Sequence, residues 1–244
     1  MNKRTALITG ASGGIGLETA RKLAAEGWSL YLHYYQGSTP IQSLSDELAV
    51  KYPNQFFSTI QADLSVKTGP KDLIEQLMDP IDCVIYNCGR SHVSLMTEVD
   101  HETLDAFIQL NLTSPFVILQ ELLPHMIRQK EGKIIFVSSI WGITGASMEV
   151  MYSMVKGGQN TLIKALAKEV APSQISVNGV APGAVDTQMM KDFSAEDLAF
   201  IKEDIPMGRL ANPTEIADLI GYLVSPSANY INGQIISING AWYC

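Results

Sequence analysis

The sequence has few cysteines and few charged residues among its 244 positions, and it has no run of basic residues. Cys83, Cys88 and Cys244 are odd in number and lack metal-ligand spacing, so the sequence predicts reduced thiols in the cytoplasm and no bound metal. A net charge of −8 without a Lys/Arg cluster argues against binding to nucleic acid or to an anionic membrane surface. The expected partners are therefore small molecules or proteins.

Long hydrophobic runs are also lacking. The apolar segment LNLTSPFVILQELL is interrupted by Asn111, Pro115, Gln120 and Glu121, and it stays short of the roughly 18 residues that span a bilayer. The N-terminus leads directly into TALIT, without a signal-peptide core or a cleavage site. The sequence predicts neither a membrane-spanning segment nor export.

Short apolar runs alternate with longer amphipathic segments along the whole chain. Helices are predicted near 101–129, from Tyr152 to Val170, and from Pro213. The alternation predicts an α/β Rossmann fold, one domain over residues 1–244, with a doubly wound seven-stranded parallel sheet and helices on both faces. The predicted strands are TALIT, SLYLHYY, FFSTIQA, CVIYN, KIIFVSS, ISVNGVAP and QIISING.

The segment 184–209 follows the end of a predicted strand and has no continuous apolar stripe. Two interpretations are open. Either it is a mobile helical lid over the substrate, or it is an ordinary surface insertion. Long segments at the carboxyl ends of strands in such sheets are often functional.

A glycine-rich segment follows the first predicted strand and opens directly into a helix. Glycines at this place allow a tight turn and close approach of a pyrophosphate, while the helix amides face the phosphates. The segment predicts a dinucleotide site, with a purely structural turn as the weaker alternative. It consists of Thr9, Gly10, Ala11, Ser12, Gly13, Gly14, Ile15 and Gly16.

The choice of nucleotide is expected about 20 residues further on, where a carboxylate would bind the ribose of NAD. The stretch from His33 to Ser38 has no carboxylate, so NADP(H) is predicted and NAD(H) is the alternative. No basic partner for a 2′-phosphate is present, since Gly13 stands where an arginine could serve. The contacts would have to come from Ser12, Tyr35, Gln36 or Ser38.

Three polar side chains with complementary chemistry lie in the second half of the chain. Ser139 ends the predicted strand KIIFVSS, and Tyr152 and Lys156 lie one turn apart on the next helix, so both can face one cleft. A tyrosine is a weak acid at neutral pH unless a cation lowers its pKa, and Lys156 is placed to do so. By spacing alone, the pair also suits an exposed helix face.

Several motifs occur together: TGASGGIG, Asn87-Cys88-Gly89, Asn111, Ser139, Tyr152 to Lys156, and Pro182-Gly183. With this set the sequence resembles the short-chain dehydrogenase/reductase family over nearly its whole length. The resemblance implies that Tyr152 is the general acid and that Lys156 holds the nicotinamide ribose and lowers the pKa of Tyr152. It also implies that Ser139 polarises the carbonyl and that Asn111 kinks its helix and holds a proton-relay water.

The same resemblance implies the remaining cofactor contacts. Asp63 would contact the adenine, the Asn87 and Gly89 backbone would line the ribose, and Thr187 would hold the carboxamide. At Cys88 the sequence departs from the alanine that is usual in this family. The resemblance also implies a homotetramer formed through the helices that carry Asn111 and Tyr152. Further cofactor contacts are expected from Ile15, Leu64, Pro182, Gly183 and Val185.

Three functions are compatible with these features. The broad likeness is to 3-oxoacyl-carrier-protein reductases, for which Arg128, Lys130 and Lys133 offer basic residues for an acidic carrier protein. In Arg90 to His92, Ser139 to Gly142, Gly145 to Glu149 and the end Trp242 to Cys244, the sequence more narrowly resembles reductases of a 5-aminopentanone modification on elongation factor P. A non-catalytic NADP sensor is the third possible function. Trp141, Glu149 and His92 are candidate substrate contacts, because a carboxylate and an indole suit an ammonium group. Glu149 at a helix start and Trp141 in the core are the structural alternatives.

Overall fold

The computed structural model describes residues 4–191 and 193–244. Within these residues seven strands form one parallel sheet in the order β3-β2-β1-β4-β5-β6-β7, which confirms the predicted doubly wound α/β fold. The predicted runs extend past the observed strands by one or two residues at most. The strands are β1 (Thr5–Thr9), β2 (Ser29–Tyr34), β3 (Phe57–Gln61), β4 (Cys83–Tyr86), β5 (Gly132–Val137), β6 (Ile175–Pro182) and β7 (Ile235–Ile238).

Helices cover both faces of the sheet. Leu7 and Ile8 are neighbours in β1 but belong to different buried clusters, because successive side chains of a strand point to opposite faces. The cluster around Ile8 packs under α1, α2 and α9, and the cluster around Leu7 packs under α3, α5 and α7. The helices are α1 (Gly14–Ala25), α2 (Ser38–Lys51), α3 (Gly69–Ile74), α4 (His101–Ile108), α5 (Ser114–Gln129), α6 (Trp141–Thr144), α7 (Val150–Val170), α8 (Ala195–Asp204) and α9 (Pro213–Val224).

The direction of the strand order reverses between β1 and β4. From β1 the chain proceeds outward through β2 and β3, and β4 then returns to the other side of β1. Ligands of such sheets bind in the crevice outside the carboxyl ends of the strands at this switch point. The glycine-rich segment after β1 and Asn87 after β4 both lie at this crevice.

The helix predicted over 101–129 is interrupted. A π-turn, Gln109–Thr113, separates α4 from α5 and contains the buried Asn111. By length and composition alone, the helical stretch His101–Gln129 contains an 18-residue window apolar enough to cross a membrane, with a mean hydropathy of 1.2. The expectation that no stretch would do so is therefore wrong. Phe107, Ile118 and Met126 are fully buried in this stretch, whereas Phe116 and Ile127 are exposed, so only one face of it packs on the core.

The segment 184–209 contains one regular helix, α8, which begins with a capping box between Ser194 and Asp197. The Ser194 hydroxyl accepts a hydrogen bond from the Asp197 amide, and the Asp197 carboxylate accepts from the Ser194 amide. Position 192 of this segment lies outside the described residues. The helical part of the expectation is thus observed, whereas lid movement stays a prediction.

Candidate active site

The glycine-rich segment packs so closely that side chains are excluded at several positions. Gly10 has a φ of +63°, and a Cβ there would lie 2.8 Å from the Cα of Cys88. A Cβ at Gly16 would lie 2.3 Å from the Gly10 carbonyl oxygen, and one at Gly14 would lie 2.8 Å from Thr187 Cγ2. The segment therefore forms a cradle of bare backbone at the start of α1, which fits the pyrophosphate of a dinucleotide.

Gly13 differs from the other glycines of the segment. Its φ is −81° and a Cβ there would meet nothing closer than the Gly10 oxygen at 3.5 Å, so the fold does not require glycine at this position. Beside it the Ser12 hydroxyl donates to the Gln36 carbonyl at 3.2 Å. Tyr35 is half exposed. The stretch expected to contact a 2′-phosphate thus lies directly against the glycine-rich segment.

Thr9 and Asn87 join the ends of β1 and β4. The Asn87 side-chain amide donates to the carbonyls of Thr9 at 3.1 Å and Gly10 at 2.9 Å. The backbone amides of Asn87 and Cys88 donate to the Thr9 hydroxyl at 3.0 and 3.2 Å. Asn87 therefore acts on the glycine-rich segment through its side chain, and the role of Thr9 was missed. A hydroxyl at the end of an otherwise apolar strand was the available signal.

His33 is a second residue whose role was missed. Its ring is buried at the end of β2, where Nδ1 accepts from the Gly10 amide at 3.1 Å. Nε2 then carries the proton and donates to the Ala62 carbonyl at 3.1 Å. Burial lowers the pKa of His33 to about 4, so the ring is neutral at pH 7. The two hydrogen bonds of His33 thus connect Gly10 of the glycine-rich segment to Ala62, the residue before Asp63.

The expected adenine contacts follow β3. The Asp63 carboxylate accepts hydrogen bonds from the amide and hydroxyl of Ser65 at 2.9 and 2.6 Å, which holds it in one orientation. Leu64 is buried, and its carbonyl accepts from the Ser114 hydroxyl at 2.7 Å at the start of α5. Both lie at the carboxyl edge of the sheet, on the β2 side of the crevice.

The remaining expected cofactor contacts follow β6. The Pro182 carbonyl accepts from the Ile140 amide at 3.1 Å, which joins the ends of β5 and β6. A Cβ at Gly183 would lie 3.0 Å from the Asn239 Cβ. Val185 is buried and pairs with Ala211. Thr187 comes next, and its methyl group faces Gly14 across the crevice.

Ser139, Tyr152 and Lys156 lie together at the carboxyl end of β5. Ser139 is buried two residues beyond the strand, and Tyr152 lies in the first turn of α7. The Lys156 ammonium is buried 5.7 Å from the centre of the Tyr152 ring. It donates to the Val137 carbonyl at 2.9 Å and to Gln159 Oε1 at 3.2 Å.

The ionisation of these groups differs from the expectation. Burial raises the pKa of Tyr152 to about 12, the charge of Glu149 adds to the rise, and hydrogen bonding to Ser139 opposes it. Burial lowers the pKa of Lys156 to about 8. The hydrogen bond to Ser139 lowers the pKa of Tyr152, but burial outweighs it, so the pKa is raised in this arrangement. The role of Lys156 in lowering this pKa stays a prediction.

Asn111 is fully buried in the π-turn. Its Nδ2 donates to the Phe107 carbonyl at 3.0 Å, and its Oδ1 has no hydrogen-bond partner among the described residues. A Cβ at Gly89 would lie 3.9 Å from this oxygen and 3.4 Å from Lys156 Nζ. The Asn111 oxygen, the Gly89 backbone and the Lys156 ammonium thus lie close together near Tyr152. This arrangement fits a bound ribose and a proton-relay group.

Two of the three candidate substrate contacts are Glu149 and Trp141, and they have different neighbours. The Glu149 carboxylate accepts from the Ser91 hydroxyl and makes no side-chain cap to α7, although its charge reaches Tyr152. Trp141 is partly exposed and stacks edge-to-face on Trp242 and Tyr243, at 5.4 and 5.3 Å between ring centres. Glu149 is the N-cap residue of α7, so its charge can also complement the start of that helix, and the contact of either residue with a substrate stays a prediction.

His92 lies on the α4 side of the site. Its ring contacts the buried Phe107 ring edge-to-face, with 6.0 Å between the ring centres. The Arg90 guanidinium lies 5.0 Å from the centre of the Phe107 ring. The loop after β4 is therefore folded onto α4. This packing gives His92 a structural role, and its contact with a substrate stays a prediction.

Comparison with known proteins agrees with this geometry. The uncharacterized oxidoreductase YmfI of Bacillus subtilis is 51% identical over 247 residues, which cover all of both chains. The 3-oxoacyl-[acyl-carrier-protein] reductases FabG of Aquifex aeolicus and Staphylococcus epidermidis are 34% and 33% identical. These two alignments cover 98% and 100% of this chain and 97% and 100% of the relatives.

The fold and the site define an oxidoreductase that uses a nicotinamide dinucleotide and acts on alcohol and carbonyl groups. A family model described as short chain dehydrogenase matches residues 4–198. The chain belongs to the short-chain dehydrogenase/reductase family.

Proposed function

We propose that this protein is an NADPH-dependent reductase of ketones. The observation that carries the proposal is the half-buried Tyr152 phenol, which lies beside Ser139 and Lys156 at the carboxyl end of β5. When bound, the nicotinamide supplies the hydride to the carbonyl carbon. Ser139 donates a hydrogen bond to the carbonyl oxygen, and Tyr152 gives its proton to that oxygen as the alcohol forms.

The raised pKa of Tyr152 suits the role of a general acid. A phenol with a pKa near 12 keeps its proton at pH 7 and can give it to a developing alkoxide, which is a stronger base than a phenolate. Oxidation of an alcohol would need the phenolate, which burial and Glu149 both disfavour. At neutral pH Tyr152 is therefore in the protonation state that reduction requires.

The preference for NADPH rests on the stretch after β2. No carboxylate stands between His33 and Ser38 to repel a 2′-phosphate. Ser12 and Tyr35 are the groups available to bind it, and the open space at Gly13 leaves room for it. We expect a lower KM for NADPH than for NADH.

The carrier-protein hypothesis is supported by the names of the FabG relatives but not by the basic residues first considered. Arg128 and Lys130 end α5, and Lys133 lies at the amino end of β5, whereas Ser139 follows its carboxyl end. Ser139 lies six positions after Lys133, about 20 Å along extended chain at 3.3 Å per residue. These cations are therefore on the wrong edge of the sheet to receive a carrier protein at the active site.

The second candidate substrate is the 5-aminopentanone modification on elongation factor P. The observation favouring it is the Glu149 carboxylate, which lies near enough to Tyr152 to raise its pKa and is oriented by Ser91. A short ketone with an ammonium group would place its charge at Glu149 while its carbonyl meets Tyr152. Trp141 and its aromatic neighbours offer ring faces for the same cation.

One set of assays tests the reaction and the substrate. Purified protein is given NADPH or NADH with acetoacetyl thioester or with modified elongation factor P, and nucleotide oxidation is followed by absorbance. Tyr152→Phe is expected to lower kcat by about 10²- to 10⁴-fold with nucleotide binding retained. Unchanged turnover in Tyr152→Phe, or no turnover of any ketone by the wild type, refutes the reductase.

Glu149→Gln separates the two substrates. It removes the charge but keeps the shape, so it should raise KM for the cationic ketone and leave KM for the thioester close to the wild-type value. Full activity on the thioester with none on the elongation factor would contradict the second candidate.

A further inference from the structure

Two consecutive carbonyls of the π-turn are held by side chains from other elements. The hydroxyl of Tyr86, the last residue of β4, donates to the Leu110 carbonyl. The Gln159 side chain on α7 donates through Nε2 to the Asn111 carbonyl at 2.9 Å. Both donors are buried. Burial also raises the pKa of Tyr86, so its hydroxyl keeps the proton that it donates.

Gln159 connects the π-turn to Lys156 as well. Its Oε1 accepts from the Lys156 ammonium at 3.2 Å, while its Nε2 is used on Asn111. One amide therefore spans the two elements that carry Asn111 and Lys156. The Val137 carbonyl, at 2.9 Å, is the other acceptor for this ammonium.

A π-turn needs such partners for a physical reason. The Ser114 amide bonds to the Gln109 carbonyl, five residues back, so the ordinary four-residue ladder is broken around Asn111. A buried carbonyl left without a donor costs about 1–3 kcal/mol. Donors from β4 and α7 therefore favour the turn over a regular helix, which would rotate Asn111 away from the site.

We propose that Tyr86 and Gln159 are positioning residues that fix the π-turn, so that the free Oδ1 of Asn111 and the ammonium of Lys156 meet beside Gly89 and Tyr152. The inference rests on the proposed reductase function for its kinetic consequences. Its structural content stands independently of turnover.

Two near-isosteric variants test it. Tyr86→Phe removes one hydroxyl, and Gln159→Leu removes both hydrogen bonds that the side-chain amide of Gln159 makes. Each should lower kcat about tenfold or more, because small misplacements of catalytic groups are costly, while KM for the ketone and the NADPH dissociation constant stay close to wild type. The solvent deuterium isotope effect on kcat should rise, since proton transfer becomes limiting.

The chain offers matched controls away from the site. The Tyr31 hydroxyl donates to Asp79 at 2.8 Å and accepts from the amides of Met78 and Asp79, so Tyr31→Phe loses a tyrosine hydroxyl with at least as many partners as that of Tyr86. Gln55 donates to the carbonyls of Ala24 and Trp28 at 2.9 and 2.6 Å, so Gln55→Leu is the matched glutamine control. These controls should lower thermal stability by similar amounts and leave kcat and the isotope effect unchanged.

Amide hydrogen exchange over residues 107–114 provides a readout without substrate. Exchange should be faster in Tyr86→Phe and Gln159→Leu than in the wild type and in both controls. If the wild type reduces no ketone, the proposed reductase fails, but this measurement still decides the positioning inference. Unchanged exchange, or kinetic losses in the two site variants no larger than in the controls, overturns it.

Discussion

At the scale of single residues, His33 shows how a buried titratable group can organise a binding site without touching the reacting atoms. Its two ring nitrogens connect the Gly10 amide to the Ala62 carbonyl, so one side chain aligns the glycine-rich segment with the expected adenine contact, Asp63. This geometry requires the neutral ring. Protonation would remove the acceptor for Gly10.

The buried state of His33 predicts a specific pH dependence of stability. Its pKa falls from 6.5 to about 4 on folding, so between these values the unfolded chain binds a proton that the folded chain does not. The free energy of unfolding should therefore fall as the pH drops from 6.5 to 4, by at most about 3 kcal/mol from this residue. The hydrogen bond to the Ala62 carbonyl and the charge of Asp63 oppose the depression of this pKa, which burial dominates.

Urea unfolding of His33→Asn at pH 7, 5.5 and 4.5 measures this contribution. The variant should be less stable at pH 7 and should show a weaker dependence on pH than the wild type. His101→Asn, an exposed histidine at the start of α4, is the control and should keep the wild-type dependence. If the free energy of unfolding changed with pH equally in His33→Asn and in the wild type, the prediction would be contradicted.

At the scale of elements, the turn between β1 and α1 depends on particular glycines rather than on glycine content. A Cβ at Gly16 would come within 2.3 Å of a backbone oxygen, whereas one at Gly13 has ordinary contact distances. Since alanine is the better helix former, any loss in Gly16→Ala is a steric effect and not one of helix propensity. The turn therefore requires bare backbone at Gly16 and accepts a side chain at Gly13.

Alanine substitutions at Gly16 and Gly13 test this difference directly. Gly16→Ala should weaken NADPH binding about tenfold or more and lower the melting temperature, because the segment has to move off the start of α1. Gly13→Ala should change binding and melting temperature little. Fluorescence titration with NADPH and thermal unfolding test both, and equal effects of the two substitutions would show that the close approach at Gly16 is not limiting.

At the scale of the whole molecule, the long helices predict an assembly. The interrupted helix α4–α5 and the helix α7 present apolar side chains to the exterior, including Phe116, Ile127, Val150 and Met154. A homotetramer formed through these helices would cover them and would stiffen the elements that carry Asn111 and Tyr152.

Light scattering tests this expectation. The wild type should have four times the chain mass of 26.6 kDa. Met154→Glu places a charge on the exposed face of α7 and should shift the mass downward, whereas Met78→Glu, on a residue that is 87% exposed outside these helices, should not. A wild-type mass of one chain would refute the tetramer.

The sequence by itself determined the alternation of strands and helices, the single parallel sheet and the positions of Ser139, Tyr152 and Lys156, because these depend on local periodicity and on motifs close to strand ends. Only the tertiary structure decided how Tyr86 and Gln159 hold the π-turn and how His33 holds Gly10. Their partners lie 23 to 48 residues away along the chain, where no local pattern extends. It also raised the pKa of Tyr152, opposite to the expected direction, since burial and the charge of Glu149 act on the phenol only once the chain is folded.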